Sequence, residues 1–355
     1  MKRNDKNGEA ATALTSGLFK VAVVGAASLK GKEIKDILSE RNFPATDVRL
    51  LDDEESMGQM EAVGDEPTFI QNVLPDQFTG VDFAFYASDA AFTGNTWQLA
   101  QKASSEIIDL SYALESQPNA QLRAPWIDKE LGRDFSKQLA SVPVVIAHPA
   151  AVALALLFLR LKKAGNLVHA SATVMEPASE RGRKGMDELH DQTVNLLSFQ
   201  QMPTAVFGTQ IAFNMVSEFG EGVQPKLGSV QERIARHFRA LVGDQARVPS
   251  LMLVQAPVFH GYAFSIYIEM DAPVSVGHIE SALSGDHIQI LRSEESPSNV
   301  NVAGATDVQV AVRADTQHPN GFWIWAAADN LRMLASLAVE CAEQMVSTRP
   351  RGKVQ

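Results

Sequence analysis

The sequence predicts an α/β fold, with an N-terminal doubly wound parallel sheet followed by an α+β domain built on a largely antiparallel sheet. Three observations carry this. Short apolar runs alternate with helical periodicity over residues 18–150. Beyond residue 150 the apolar segments lengthen and alternate with polar residues, as half-buried strands do. At 355 residues the chain is also too long for one ordinary core.

Taken in order, residues 1–17, "MKRNDKNGEAATALTSG", are small and polar and read as a disordered leader. Lys2 and Arg3 imitate the start of a signal peptide, but no apolar stretch follows them. "KVAVVG", Lys20–Gly25, is a β-branched apolar run closed by glycine, which predicts a buried strand. Ile34, Ile37 and Leu38 in "KEIKDILSERNF" then recur at helical spacing. "VRLLDD", "VDFAFYAS", "EIIDLS" and "VPVVIAHP" predict further strands, with a helix at "WQLAQKAS". Val144–Gly165 reads as a strand running into a helix through one tight turn, His148-Pro149-Ala150-Ala151. Its run "AVALALLFLRL" is too short to span a bilayer, and Arg160 interrupts it.

After that junction "LVHASATVM", "SLMLVQAPVF", "GYAFSIYIEM" and "VQVAVRAD" predict strands. Helices are expected around 185–197, 230–241 and 278–283. "GFWIWAAADNLRMLASLAVECAEQMV" reads as a strand, a turn and a long amphipathic helix. The expected division is a Rossmann-like nucleotide-binding domain over 18–150, completed by helix 330–348, and a second domain over 151–329.

Hydrophobic content of 45% beside 21% charged residues is that of a soluble globular protein. A net charge of −11 repels phosphate, which argues against nucleic acid or anionic lipid as a partner. The single cysteine, Cys341, excludes an intrachain disulfide and a thiolate metal cluster, and no metal-ligand spacing stands out. A cytoplasmic location is the simplest expectation.

Gly25 and Gly31 flank the first strand–helix turn, where glycine permits a tight bend and the helix N-terminus can hold a pyrophosphate. Asp52 and Asp53 follow at the distance of a ribose-binding carboxylate, and a solvated acidic loop is the competing explanation. His148 and His260 lie near turns without an evident thiol or hydroxyl partner. Cys341 is spaced to face the core of the last helix. "SERGRKG", Ser179–Gly185, is basic enough to attract an anion, but a solvated loop is the preferred explanation.

The stretches "VAVVGA", "ERNFPATDVRLL", "GRKGMDEL", "FGTQIAFNM", "QAPVFHG" and "AAADNLRMLA" occur in the order and at the separations of the aspartate-semialdehyde dehydrogenase family, which the chain resembles from about Phe19 to Val346. The resemblance implies a nucleotide-binding domain, a domain for catalysis and dimerisation, and a homodimer. It also implies a reaction in which an acyl phosphate is reduced to an aldehyde through a covalent thioester and a nicotinamide cofactor.

Mapped residue by residue, Ala151 falls where the family carries its nucleophilic cysteine, and alanine offers no nucleophile. Tyr262 takes the place of the family's histidine, His260 that of the arginine before it, and Glu176 that of the glutamine orienting the intermediate. The two substrate-clamping arginines fall on or near Glu115 and Phe238, which removes bidentate recognition of an anion. In the cofactor region Ser28 replaces the middle glycine and Glu55 the arginine that meets the 2′-phosphate of NADP, while Asp329 and Asn330 keep the family's turn. The pattern is similar to the Usg-type branch, which also lacks the cysteine.

The implied function is a catalytically degenerate homologue that binds a nucleotide, a metabolite or a partner protein. The alternative is an oxidoreductase of altered chemistry in amino-acid metabolism, using Tyr262, His260 and Glu176. NAD is the implied cofactor, preferred to NADP; no metal is expected.

Overall fold

The computed structural model describes residues 19–64, 66–134, 142–292 and 295–348, so the leader expected at 1–17 lies outside the described residues. The chain opens with β1 (Phe19–Val24), α1 (Leu29–Glu40) and β2 (Ala45–Asp52). The short strands β3 (Met60–Val63), β4 (Glu66–Phe69) and β5 (Gln71–Asn72) follow. Then come β6 (Phe83–Tyr86), α2 (Ala90–Lys102), β7 (Glu106–Asp109), β8 (Gln121–Arg123), α3 (Pro125–Glu130) and β9 (Val144–Ile146). Seven of these strands form one parallel sheet in the order β5-β2-β1-β6-β7-β9-β8. The order reverses beside β1, which leaves a crevice at the carboxyl ends of β1 and β6, where open α/β sheets take their ligands.

The turn from β1 to α1 is built tightly. Gly25 has φ of 85°, and a Cβ there would lie 2.4 Å from the Ser88 nitrogen. A Cβ on Gly31 would lie 2.2 Å from the Gly25 carbonyl oxygen, so α1 docks through a glycine that nothing larger replaces. Ser28 caps α1 by accepting the Gly31 N–H at 2.9 Å. The Asp52 carboxylate accepts the Ala27 N–H at 2.8 Å and closes the turn from the side of β2.

The expected strand-to-helix junction leads into α4 (Pro149–Leu161), every residue of which is buried. Proline at its first position needs no N–H partner. The one charge near its end, Arg160, donates to Glu130 at 3.0 Å and to the carbonyls of Leu283 and Asp286. An apolar helix is thus tied down by a satisfied guanidinium. Among the described residues no helix is long and apolar enough to cross a membrane.

The second half comprises β10 (Leu167–Glu176), α5 (Gly182–Leu197), α6 (Leu227–Val242), β11 (Ser250–Gln255) and β12 (Tyr262–Met270). It continues through α7 (Val276–Leu283), β13 (Ile288–Ile290), β14 (Val308–Ala314) and β15 (Gly321–Ala328) to α8 (Asn330–Thr348). Its sheet runs β11-β10-β12-β15-β14-β13. The centre is antiparallel as expected, but both edges are parallel, so the sheet is mixed. β11 returns beside β10 only after α5 and α6, and such a long crossover permits a parallel pairing.

Helices α6 and α7 pack on this sheet, and α4 lies between them and the first sheet's α3 and α8. Helix α8 runs back along α1, held by Arg41 to Glu343 at 2.7 Å and by Arg332 to Glu33 and Glu40. On β12 the residues facing the helices are buried, whereas Ser265, Tyr267 and Glu269 on the other face are half-buried. Among the described residues, α6 and α7 pack on one face of the sheet and leave Ser265, Tyr267 and Glu269 on the other half-buried.

Replacing Gly31 with alanine is expected to destabilise the protein by about 1–3 kcal/mol, as overpacking does. Urea unfolding measures this; an unchanged midpoint would mean that α1 docks without the close approach.

Candidate functional site

The strand ends of the second sheet, the first turn of α4 and the loop after β7 meet in one place. Ala151, in the first turn of α4, has no exposed surface. His148, just before the helix, is buried, and its backbone N–H donates to His237 Nδ1 at 3.1 Å. Because that nitrogen accepts, the His237 proton resides on Nε2, which faces a Glu115 carboxylate oxygen at 3.2 Å. The arrangement holds His237 neutral, and burial pushes its pKa down despite the Glu115 carboxylate.

Glu115 also receives Arg233 and Arg236, each at 3.1 Å. Against the upward push of partial burial, hydrogen bonds from His237 and Arg233 and the arginine charges lower its pKa to about 2. Helix α6 supplies these groups because Arg233, Arg236 and His237 recur at i, i+3 and i+4, with His237 buried at the edge of the apolar stripe Leu227, Val230, Ile234 and Leu241 and the arginines turning from it toward the rim.

Aromatic rings fill the space next to His148. Tyr112 stacks on it with centroids 5.6 Å apart, and Tyr262 lies at 6.0 Å. Tyr112 adopts φ of 66°, a strained value for tyrosine, in a loop that Asp109 organises by accepting Ser111 N–H and Leu114 N–H. Arg233 lies over its ring at 4.9 Å and Lys30 at 5.5 Å. Tyr262 opens β12, and Glu176 ends the adjacent β10. Burial, then the Glu180 carboxylate, raises the Glu176 pKa to about 8.

Among the described residues four buried polar atoms here have no hydrogen-bond partner: the Tyr112 hydroxyl, His148 Nδ1, Glu176 Oε2 and Gln255 Oε1; the buried Tyr262 hydroxyl has only the Glu180 carboxylate beside it. Such atoms are rare in folded proteins, and their gathering in one place marks a site adapted to something other than stability.

Chemically the cluster can hold and pass a proton at Glu176. It contains no thiol. Cys341 is buried in α8, where burial raises its pKa to about 12. Among the described residues no group of His, Cys, Asp and Glu is placed to hold a metal ion.

The expected site residues divide. Ala151, Tyr262 and Glu176 come together, but no hydrogen bond or ring contact among the described residues joins the His260 side chain to them; its carbonyl accepts from Asn299. His148 and His237 occupy the cluster instead. Phe238 is a core residue, edge-on to Phe158.

Asp329 caps α8 by accepting the Leu331 and Arg332 N–H groups. Asn330 binds Ser179, Glu180 and the Gly261 N–H, which joins the "SERGRKG" segment to the start of β12. Both carboxylate oxygens of Asp52 are engaged, one by the Ala27 N–H of the first turn and one by the N–H of the following Asp53, while Asp53, Glu54 and Glu55 are exposed. No local pattern distinguishes Lys30, Tyr112 or Gln255; for Arg233 and His237 the one signal is their i, i+4 spacing on a helix.

A nicotinamide dinucleotide fits this chain only at one point. The N–H groups of Leu29 and Lys30 at the start of α1 make no hydrogen bond within the described residues and suit a diphosphate. The crevice beside them does not suit the rest, because the side chains of Ser28 and Lys30 cross it to Ala87 and Leu110.

The Glu176 pKa sets a pH dependence. A carboxyl raised from 4.5 to about 8 binds its proton more tightly folded than unfolded, so its contribution is intact below 4.5 and is lost as pH rises through 8. Glu176→Gln is expected to flatten the fall in stability between pH 5 and 8.5, measured by urea unfolding (~3.5 pH units, centred on this window). An identical pH profile for variant and wild type would remove Glu176 as the titrating group.

Comparisons with known proteins place the chain. Residues 20–148 match the semialdehyde dehydrogenase NAD binding domain, and residues 158–333 match the semialdehyde dehydrogenase dimerisation domain. The chain is 28% identical to an aspartate-semialdehyde dehydrogenase of Rickettsia bellii, over 93% of this chain and 98% of that protein. It is 29% identical to a USG-1 protein homolog of Pseudomonas aeruginosa, over 90% and 95%. The solved structure of a probable aspartate-semialdehyde dehydrogenase from Pseudomonas aeruginosa has a TM-score of 0.82 at 28% identity, covering 93% of this chain and 99% of that one. With both domain types in order and this architecture, the chain belongs to the aspartate-semialdehyde dehydrogenase family.

Proposed function

We propose that this chain is a catalytically degenerate member of its family, a homodimer that acts by binding a metabolite or partner and has no phosphorylating dehydrogenase activity. The observation that carries this is Ala151: at the position the resemblance assigns to the nucleophile stands a methyl group with no exposed surface. The changes around it agree. The histidine position is Tyr262, whose hydroxyl burial and the Glu180 charge hold well above its ordinary pKa. A phenol so placed is a poor base at neutral pH. The clamp position near Glu115 carries an anion already enclosed by Arg233, Arg236 and His237.

The runner-up, an oxidoreductase of altered chemistry, draws on Glu176, whose pKa is raised to about 8 and whose Oε2 has no hydrogen-bond partner among the described residues. The division into units at about residue 150, with α8 completing the first, and a cytoplasmic location belong to the same proposal.

Dimerisation is supported by the open face of the second sheet, where Met252 is 49% and Trp323 46% exposed beside half-buried Tyr267 and Trp325. A contiguous aromatic face of this kind marks an interface. Between cofactors, exposed Asp53, Glu54 and Glu55 after β2 disfavour the 2′-phosphate, so any dinucleotide admitted is NAD rather than NADP.

Wild type, Ala151→Cys, and Ala151→Cys with Tyr262→His are to be assayed with aspartate semialdehyde, phosphate and either cofactor. Wild type and the single variant are expected to be inactive, because general acid–base help is worth ~10²–10⁴-fold and is still missing. Turnover by wild type overturns the proposal, and robust turnover by the single variant overturns the account of the surrounding losses. Light scattering is expected to give twice the chain mass of 38.5 kDa; a monomer mass at micromolar concentration rejects the dimer.

A further inference from the structure

We propose that the dinucleotide crevice is closed by the chain's own Ser28 and Lys30, which occupy the path a nicotinamide cofactor would take, so that the native protein binds neither NAD nor NADP. The inference goes beyond the loss of chemistry at Ala151, because a protein without a nucleophile can still bind cofactor.

Topology makes the case. In an open α/β sheet the ligand lies outside the carboxyl ends of the strands at the switch point, here beside β1 and β6. Ser28, on the turn after β1, donates its hydroxyl proton to the carbonyl of Ala87 just beyond β6, at 3.0 Å. Lys30, two residues on, reaches further. Its Nζ donates to the carbonyl of Leu110 just beyond β7, at 2.9 Å. The sheet runs β1-β6-β7, so the lysine reaches from the first turn of α1 past the end of β6 to the residue after β7. The two side chains bridge the groove at successive strands.

The bridge is held in place from its far side. Asp109 fixes the loop that presents the Leu110 carbonyl by accepting from Ser111 and Leu114. The Tyr112 ring lies under the ammonium group at 5.5 Å. Burial lowers the Lys30 pKa, opposed by the carboxylates of Glu180 and Asp109, with Arg233 adding to the lowering and Asp89 opposing it. Withdrawing Lys30 to admit a ligand would leave the Leu110 carbonyl without its donor and the Tyr112 face without its cation.

Ser28 contributes a second obstacle: its hydroxyl is used twice, as acceptor for the Gly31 N–H and as donor to Ala87, so a phosphate would have to break the α1 cap. Glycine is tolerated at a helix N-cap almost as well as serine, so Ser28→Gly leaves α1 intact.

The test is binding of NADH and NADPH to the full chain by calorimetry and nucleotide fluorescence, for wild type, Ser28→Gly, Lys30→Val and the double variant. Because it reads binding and not turnover, its failure is separate from any failure of the activity assay. Wild type is expected to show no binding up to ~1 mM cofactor. The double variant is expected to bind NADH with a dissociation constant at least ~10-fold below that limit, and NADPH more weakly. Micromolar binding by wild type overturns the proposal, as does a folded double variant that binds no better. Should the double variant not fold, amine labelling of wild type replaces it. The Lys30 labelling rate, read by mass spectrometry, is expected to be unchanged by ~1 mM NADH; protection of Lys30 would show it inside an open cofactor site and overturn closure.

Discussion

The His237 imidazole, bonded on both nitrogens, is the joint on which the site depends. One nitrogen accepts the His148 N–H at the start of α4, and the other faces Glu115 in the loop after β7. Helix α6 of the second sheet is thereby tied to the junction helix and to the first sheet through a single ring. The tautomer is dictated by the backbone donor, so the ring stays neutral and Glu115 must find its cations elsewhere. It finds them on the same helix, at Arg233 and Arg236. Arg233 in turn lies over Tyr112, whose ring covers His148. Each contact presupposes the previous one.

Charge and burial are sorted by this arrangement. Ionised groups collect at the half-exposed rim, where Glu115 is held ionised by its arginines. The interior around Ala151 keeps neutral forms: His148 is pushed well below its usual pKa chiefly by burial, with the Arg233 charge adding to the lowering, and Glu176 is pushed up. A low-dielectric interior favours neutral groups when no counter-ion accompanies them. Acyl transfer on an anionic substrate needs the reverse, a cationic clamp and an ionisable nucleophile beside it.

Much of this was legible in the chain. "KVAVVG" and the apolar spacing after it announced the first strand and helix, and "VVIAHPAAVALALL" announced a helix whose first turn lacked a nucleophile. Gly25 and Gly31 have the placement of ligand-site glycines, and close backbone contacts with Ser88 and Gly25 are by themselves sufficient to require them. Lys30 was invisible because nothing local distinguishes a solvated lysine in a helix's first turn from one that reaches across two strands. Asp52 was legible as a carboxylate after a strand, but its inward turn toward Ala27 is a tertiary fact. Arg233 and His237 lie in a segment legible only as a helix around 230–241, and their partner Glu115 is supplied by the β7 loop, which no local pattern brings against them. The parallel edges of the second sheet escaped for the same reason, since alternation marks a strand and says nothing of its neighbour's direction.

The central claim is that the nucleophile position is closed as well as empty. Thiol labelling of Ala151→Cys under native conditions tests it with little background, because Cys341 is fully buried and its thiol is raised to about 12. The account predicts that the introduced thiol stays unreactive toward a small disulfide reagent or iodoacetamide until the protein is unfolded, whereupon both cysteines react. Rapid stoichiometric labelling of the folded variant at position 151 would show an open catalytic cleft and contradict it.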